Sequence, residues 1–210
     1  MDLYQLYKSI KVDIDIKLDE FSRLWDEGTD DDIFKEMVFC MCTPQTSARK
    51  GWEAATQLEE LNYFYNGHFE EIACTIKDAG IRFHKNKAKY VLSNRNKFIP
   101  STKSIILKYI NGNILNARNN LVDDVTGWGM KEASHFLRNI GFGSEVCILD
   151  RHVMRRLKEY GVITAIPKVL TKNAYLEIEV DMKHFALEQE IPVDALDFVF
   201  WYQSKGEFFK

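Results

Sequence analysis

Long apolar runs are missing from this chain. No stretch reaches the roughly 18 uninterrupted apolar residues that a membrane-spanning helix needs. Charged residues break up Met1 to Asp19 throughout, so nothing there reads as a signal peptide. A soluble protein of the cytoplasm is expected, without a membrane partner. Cysteine is scarce: Cys40, Cys42, Cys74 and Cys147 are the whole set, and none has zinc-type spacing. Cys40 and Cys42 are too close for an ordinary structural bridge. All four are expected to be reduced core residues, with no metal site. Strand-type alternation, internal repeats and low-complexity linkers are absent too, which leaves a helical chain without an obvious domain boundary.

Acidic residues are missing from one long stretch. The formal net charge of -3 hides an uneven distribution. Residues 1 to 78 hold 17 acids against 8 Lys or Arg, residues 79 to 122 hold 9 Lys or Arg and no acid, and the remainder holds 14 acids against 11. An ordinary exposed helix mixes signs through i,i+4 pairs. The acid-free stretch therefore reads as an anion-facing surface, with Ser93, Asn94, Asn96, Asn111 and Asn113 interleaved as neutral donors for phosphate.

A hydrophobic content of 46% over 210 residues suffices for a real core. Apolar residues at helical spacing predict a helix over Asp30 to Cys42, and another from Ser47, a good cap, to Leu61. Further helices are predicted near 69–78, 84–98, 102–110, 114–124, 130–139, 151–160, 171–189 and 193–204, and only Val146 to Leu149 looks extended. Many short helices on short links imply an all-α fold of two interleaved lobes within one domain spanning 1–210. The first segment is expected to pack with the last, leaving a cleft between the lobes.

The most informative stretch is Val125-Thr126-Gly127-Trp128-Gly129-Met130-Lys131, which joins two predicted helices into a helix-hairpin-helix over residues 114–140. Gly127 and Gly129 permit positive φ and close backbone approach. Amides at the start of the following helix carry partial positive charge and can hold a DNA phosphate. A Gly-x-Gly turn alone is equally an ordinary helix connection. Lys131, in the first helical turn, is poorly placed as a merely structural cation, and an amine positioned there suits nucleophilic chemistry or phosphate binding. Nineteen residues on, Asp150 follows the apolar Cys147-Ile148-Leu149 and precedes an amphipathic helix. By itself it reads as a helix cap. Beside a nucleophilic lysine, a fixed carboxylate also stabilises the positive charge that develops on a sugar when its base departs.

The run Gly127-Trp128-Gly129-Met130-Lys131-Glu132-Ala133-Ser134-His135-Phe136-Leu137-Arg138-Asn139, together with Ile148-Leu149-Asp150-Arg151-His152, resembles the helix-hairpin-helix DNA glycosylases related to endonuclease III. Within them it resembles the compact, mainly archaeal class of 8-oxoguanine glycosylase/lyases. Cys42-Thr43-Pro44-Gln45-Thr46-Ser47-Ala48 looks like that family's loop between early helices, and the terminal lysine also matches. The resemblance implies that Lys131 attacks the sugar C1′ and forms a Schiff base, and that Asp150 assists. It further implies that Gln45 enters the space left by a flipped nucleotide or touches the opposite base, and that Trp201 and Lys210 line the base pocket, with the Lys210 carboxylate facing N7–H of the lesion. Without the resemblance, Gln45 is a capping residue, Trp201 core and Lys210 a frayed end. Gly127, Gly129 and Arg151 are then DNA-binding residues, Arg151 opening a basic cluster directly after Asp150.

The partner implied is double-stranded DNA containing 8-oxoguanine, bound by a monomer. Relatives with an iron-sulfur cluster hold it on closely spaced C-terminal cysteines, which this chain lacks, so no such cofactor is expected; a monovalent cation at the hairpin is compatible with the family. Two rival readings remain at this point: a glycosylase of other lesion specificity, and a non-catalytic helix-hairpin-helix DNA-binding module. The module would not need Lys131 together with Asp150.

Overall fold

A computed structural model describes residues 2–207 and 209, and among them the regular structure is helical. The eleven helices are α1 (Leu3–Glu27), α2 (Asp30–Cys42), α3 (Ala48–Glu60), α4 (Phe69–Asp78), α5 (His84–Phe98), α6 (Thr102–Ile110), α7 (Ile114–Asp124), α8 (Met130–Asn139), α9 (Arg151–Glu159), α10 (Lys172–Glu188) and α11 (Val193–Lys205). From Asp30 onward these match the helices expected from the pattern. The pattern reading places none before Asp30, where the structure has its longest. Leu3, Leu6, Tyr7, Ile10, Ile14 and Phe21 form the buried stripe of α1 at three- and four-residue steps. Asp2 caps that helix, its carboxylate accepting from the Gln5 amide at 2.7 Å. Frequent charges between the apolar positions mask this helix by composition while leaving its period intact.

Two apolar cores divide the chain. One is built on α2, whose Ile33, Phe34, Met37, Val38 and Met41 are buried, and it gathers side chains from α3 to α8. The second joins α1 to α9, α10 and α11. Phe21 of α1 stacks on Phe198 of α11 with ring centroids 6.3 Å apart. First and last helices thus share a core, as expected. Three of the four cysteines are buried; Cys74 is exposed rather than core, because it falls on the outer face of α4, where it donates to Asp78 at 3.4 Å.

A buried ion pair ties the halves together. Arg118 of α7 bonds Glu179 of α10 through both guanidinium nitrogens, one contact measuring 2.8 Å, and the same carboxylate accepts from the Cys147 amide at 2.8 Å. A desolvated pair of this kind is costly to break from one side, by about 3–5 kcal/mol, since the remaining charge stays buried. The segment Val146 to Leu149 takes no regular secondary structure and pairs with no strand. Side chains of α10 satisfy it instead: Glu179 takes the Cys147 amide, while the Tyr175 hydroxyl donates to the Cys147 carbonyl and accepts from the Leu149 amide at 3.3 Å. Asp150 follows immediately, so α10 fixes where it stands.

Candidate active site

The hairpin between α7 and α8 is pinned from α5. Buried Asn94 accepts from the Thr126 amide at 2.9 Å and donates to the Thr126 carbonyl at 3.0 Å. Gly127 has φ +90°, and a Cβ there would meet the Tyr90 ring at 2.4 Å. Glycine is required at that point on two counts, conformation and space. Gly129 precedes α8 in extended conformation, and its amide donates to Glu132 Oε2 at 3.2 Å. That amide is therefore occupied by the chain itself. The amides of Gly127, Met130 and Lys131 donate to no such acceptor among the described residues and remain donors for an anion. The Val125 and Thr126 carbonyls already accept from Trp128 N and Asn94 Nδ2. A cation at the hairpin would have to share those oxygens through their second lone pairs.

Lys131, second residue of α8, is partly buried. Its Nζ donates to Thr43 Oγ1 at 3.1 Å and lies 3.7 Å from Glu132 Oε1. Asp150 is the N-cap of α9; its Oδ1 accepts from the His152 and Val153 amides at 2.7 and 2.9 Å. Capping and facing the lysine are compatible, because Asp150 and Lys131 both line one cavity of about 150 Å³. A larger, more open cleft of about 850 Å³ continues outward along Gln45, Arg49, Arg82 and Arg151. Gln45 is exposed and held at φ +57°, a conformation costly for a non-glycine residue and tolerated here at the cleft. It caps nothing, since Ser47 caps α3.

Trp201 is partly buried and not core. It meets the His152 ring edge-on at 4.8 Å and lines the cavity, as does Phe209, over which Arg49 sits at 5.1 Å. The expectation for Lys210 falls outside the described residues.

The structure adds His135, Arg138 and Asp197 to the cavity wall. His135 is buried one helical turn after Lys131; burial, with the Lys131 charge, pushes its pKa well below the ordinary value, so its imidazole is neutral. Arg138 lies beside both the Phe21 and Phe198 rings, 4.9 and 4.5 Å from their centroids, and 3.5 Å from Asp197 Oδ2. Burial pushes the Asp197 carboxyl up to about 6; Arg138 opposes that shift, and the neighbouring Asp150 charge adds to it. Spacing was the available signal: His135 and Arg138 follow Lys131 at four and seven residues, and Asp197 precedes Trp201 by four, so each shares a helix face with a predicted site residue.

The acid-free stretch is not the uniform anion-facing surface its composition suggests. Lys87 is buried and donates to the Cys42 and Pro44 carbonyls, and Arg118 is the buried partner of Glu179. Arg95 donates to the carbonyls of Tyr63 and Gly67, Lys97 pairs with Asp124, and Lys103 reaches the Gly28 carbonyl. Acids are missing locally because these cations find carbonyls or distant acids in the fold. Lys85 and Lys89 are exposed on the stripe of α5 that continues to Ser93, whose hydroxyl lies 3.0 Å from Thr126 in the hairpin.

A hairpin that sets Lys131 at the start of the next helix, within this all-helical, two-core fold, defines the class of helix-hairpin-helix DNA glycosylases. A family model described as 8-oxoguanine DNA glycosylase, Ogg-HhH, matches residues 14–191, and the chain belongs to that family. An 8-oxoguanine DNA glycosylase/AP lyase of Fusobacterium nucleatum is 37% identical over 211 residues, covering 100% of this chain and 96% of that protein. The crystal structure of the 8-oxoguanine DNA glycosylase of Thermotoga maritima matches with TM-score 0.88 and 33% identity, covering 99% of this chain and 96% of that one. The Methanocaldococcus jannaschii glycosylase/lyase, solved in complex with a 15mer DNA containing 8-oxoguanine, matches with TM-score 0.89 and 32% identity over 100% of both chains. Bacterial relatives therefore stand beside archaeal ones.

Proposed function

We propose that this chain excises 8-oxoguanine from duplex DNA and then cleaves the strand, with Lys131 as nucleophile and Asp150 as its electrostatic partner. The carrying observation is that these two residues, held at two separate helix starts, line one cavity. C1′ is inaccessible in stacked DNA, so the damaged nucleotide must first leave the stack. Phosphates meet the free amides of Gly127, Met130 and Lys131 and the Arg151 side chain, with Gly129 shaping the turn between them, while Gln45 enters the vacated space. Trp201 offers a flat wall to the extruded base.

Lys131 Nζ attacks C1′ in its neutral form. The glycosidic bond breaks with its electron pair going to the base, which takes up a proton, and Asp150 stabilises the cationic sugar. One amine proton passes to the departing base, and ring opening with protonation of O4′ gives the protonated Schiff base; removal of a C2′ proton expels the 3′ phosphate, and water then releases the lysine. Thr43 Oγ1 accepts from Lys131 Nζ and holds the amine in place at rest. No iron-sulfur cluster is required by this chemistry, and a hairpin cation would serve only phosphate binding. The chain is proposed to act as a monomer on chromosomal DNA; no helix among the described residues is long and apolar enough to cross a membrane. Borohydride trapping on a duplex with one 8-oxoguanine tests the reading: a covalent complex is expected, and release of free base without trapping would assign a water-based mechanism instead.

A further inference from the structure

Between the helix that carries Lys131 and the turn that carries Asp150 lies a buried polar cluster that the sugar chemistry leaves unused. Arg118 of α7, Ser134 of α8, and Tyr175 and Glu179 of α10 are each at most 3% exposed. Ser134 stands about one helical turn after Lys131, and Asp150 follows directly on Cys147 to Leu149. Tyr175 touches both sides through one oxygen. Its hydroxyl contacts the Cys147 carbonyl, the Leu149 amide at 3.3 Å and Ser134 Oγ at 3.3 Å. A phenol has a single hydrogen to give. The carbonyl can only accept, so that hydrogen goes to Cys147, and the oxygen accepts from the Leu149 amide and the Ser134 hydroxyl. Ser134 Oγ in turn accepts from Arg118 Nη1 at 3.4 Å. The hydroxyl hydrogens therefore all point one way, from α7 through α8 and α10 to the segment before Asp150. Burial raises the Tyr175 pKa well above the ordinary phenol range, which keeps its hydrogen in place.

Apolar side chains of the same shape would hold these helices together as well as the cluster does. A satisfied buried network adds directionality and one defined arrangement of the parts it joins. The reaction needs such an arrangement, because Lys131 and Asp150 act on one sugar from two separate helix starts. A misplacement of about 1 Å in such a pair costs about a hundredfold in rate. We infer that Tyr175 is a positioning residue for base release: with Ser134 it sets the separation between Lys131 and Asp150, so that amine and carboxylate meet the extruded sugar together. Tyr175 acts through these neighbours and touches no substrate. The two chemical steps depend on the separation unequally. Breaking the glycosidic bond needs both groups on one sugar, since positive charge develops there as the base departs. At a preformed abasic site that bond is already broken; the amine adds to the open aldehyde, water leaves, and no sugar cation has to be neutralised.

This inference rests on the glycosylase reading, and its test separates the two. Single-turnover release of 8-oxoguanine and borohydride trapping on a preformed abasic duplex are measured with the full chain as wild type, Tyr175→Phe and Ser134→Ala. Tyr175→Phe removes one oxygen and keeps the ring. It is expected to slow base release about ten- to a hundredfold. Trapping on the abasic duplex, and the dissociation constant for lesion duplex, should stay within about threefold of wild type. Ser134→Ala cuts only the link to α8 and serves if the phenylalanine variant does not fold; base release should slow by at least about threefold, again with trapping unchanged. In the double variant the two losses should not multiply, because both cut one bridge. Losses that multiply overturn the shared bridge. Loss of base release and trapping by one common factor marks Tyr175 as structural and overturns its role, as does unchanged base release. Absence of any base release by wild type would instead sink the glycosylase reading itself.

Discussion

Lys87 Nζ lies 2.7 Å from the carbonyl oxygen of Cys42 and 3.0 Å from that of Pro44, with only 4% of the residue exposed. The lysine therefore holds the loop whose Thr43 accepts from Lys131, the proposed nucleophile. Replacing it by methionine keeps its length and leaves those carbonyls without the ammonium. Lys87→Met should lower unfolding free energy by about 1–3 kcal/mol and slow excision, measured by denaturant titration and single-turnover kinetics. If excision is unaffected, the loop is held by its own backbone.

Lys85 and Lys89 should behave differently from Lys87 although all three lie within five residues of sequence. The exposed pair faces the hairpin side of α5. Reversing both to glutamate should flatten the dependence of log affinity on log salt for undamaged duplex by about 2, while Lys87→Met leaves the slope as it was. Fluorescence anisotropy over a salt series measures this. A slope unchanged by the double reversal would place the DNA elsewhere.

Lys131→Gln should abolish strand cleavage and borohydride trapping while keeping affinity for lesion DNA, because it removes the amine and little of the surface. Asp150→Asn gives the complementary test. Asparagine caps helices about as well as aspartate, so the fold should survive. Base release should nevertheless fall about a hundred- to a thousandfold through lost stabilisation of the cationic sugar. Unfolding together with inactivity would mean the cap was the main role.

Gly127→Ala should cost more than 1 kcal/mol and weaken binding to undamaged DNA, since φ +90° and the Tyr90 ring at 2.4 Å both oppose a methyl group. Gly129→Ala should be milder, with only Glu132 Oε2 at 3.5 Å in its way. Thermal unfolding of the two variants side by side decides it; equal losses would contradict the distinction.

Asp197 should leave a signature in stability against pH. Burial raises its folded pKa from the ordinary 3.8 to about 6, with Arg138 and the Phe198 amide opposing the rise and Asp150 and Asp194 reinforcing it. The folded state therefore binds the proton more tightly than the unfolded one. Its contribution is most favourable below the unfolded pKa and is lost as pH rises from about 4 through 6, by up to about 3 kcal/mol. Asp197→Asn mimics the protonated form, so its stability relative to wild type should improve between pH 4.5 and 7.5. Urea unfolding at the two values measures the difference, and a gap that stays constant removes this effect.

The hairpin lysine and the capping aspartate were legible because their chemistry sits in contiguous motifs, Gly127 to Lys131 and Ile148 to His152. Asp197, Arg138 and Thr43 were not, since each reads as an ordinary polar residue until helices remote in sequence bring it to the cavity. The acid-free stretch misled for a related reason. Composition records that Arg118 and Lys87 are charged, whereas their partners, Glu179 and the Cys42 carbonyl, lie 61 and 45 positions away. The first helix escaped because charges fill its exposed faces, although the step from Leu3 to Leu6, Ile10 and Ile14 has the helical period.

The sharing of one core by α1 and α9 to α11 has a bearing on biosynthesis. A nascent chain emerging from the ribosome can assemble the core around α2 and present the hairpin while α1 still waits for partners that are not yet made. The second core closes only after Val193 to Lys205 have been released. Since Asp150 is positioned by α10 and Trp201 belongs to α11, a translation product cut short before Val193 would present the hairpin without the side of the cavity that these two helices complete.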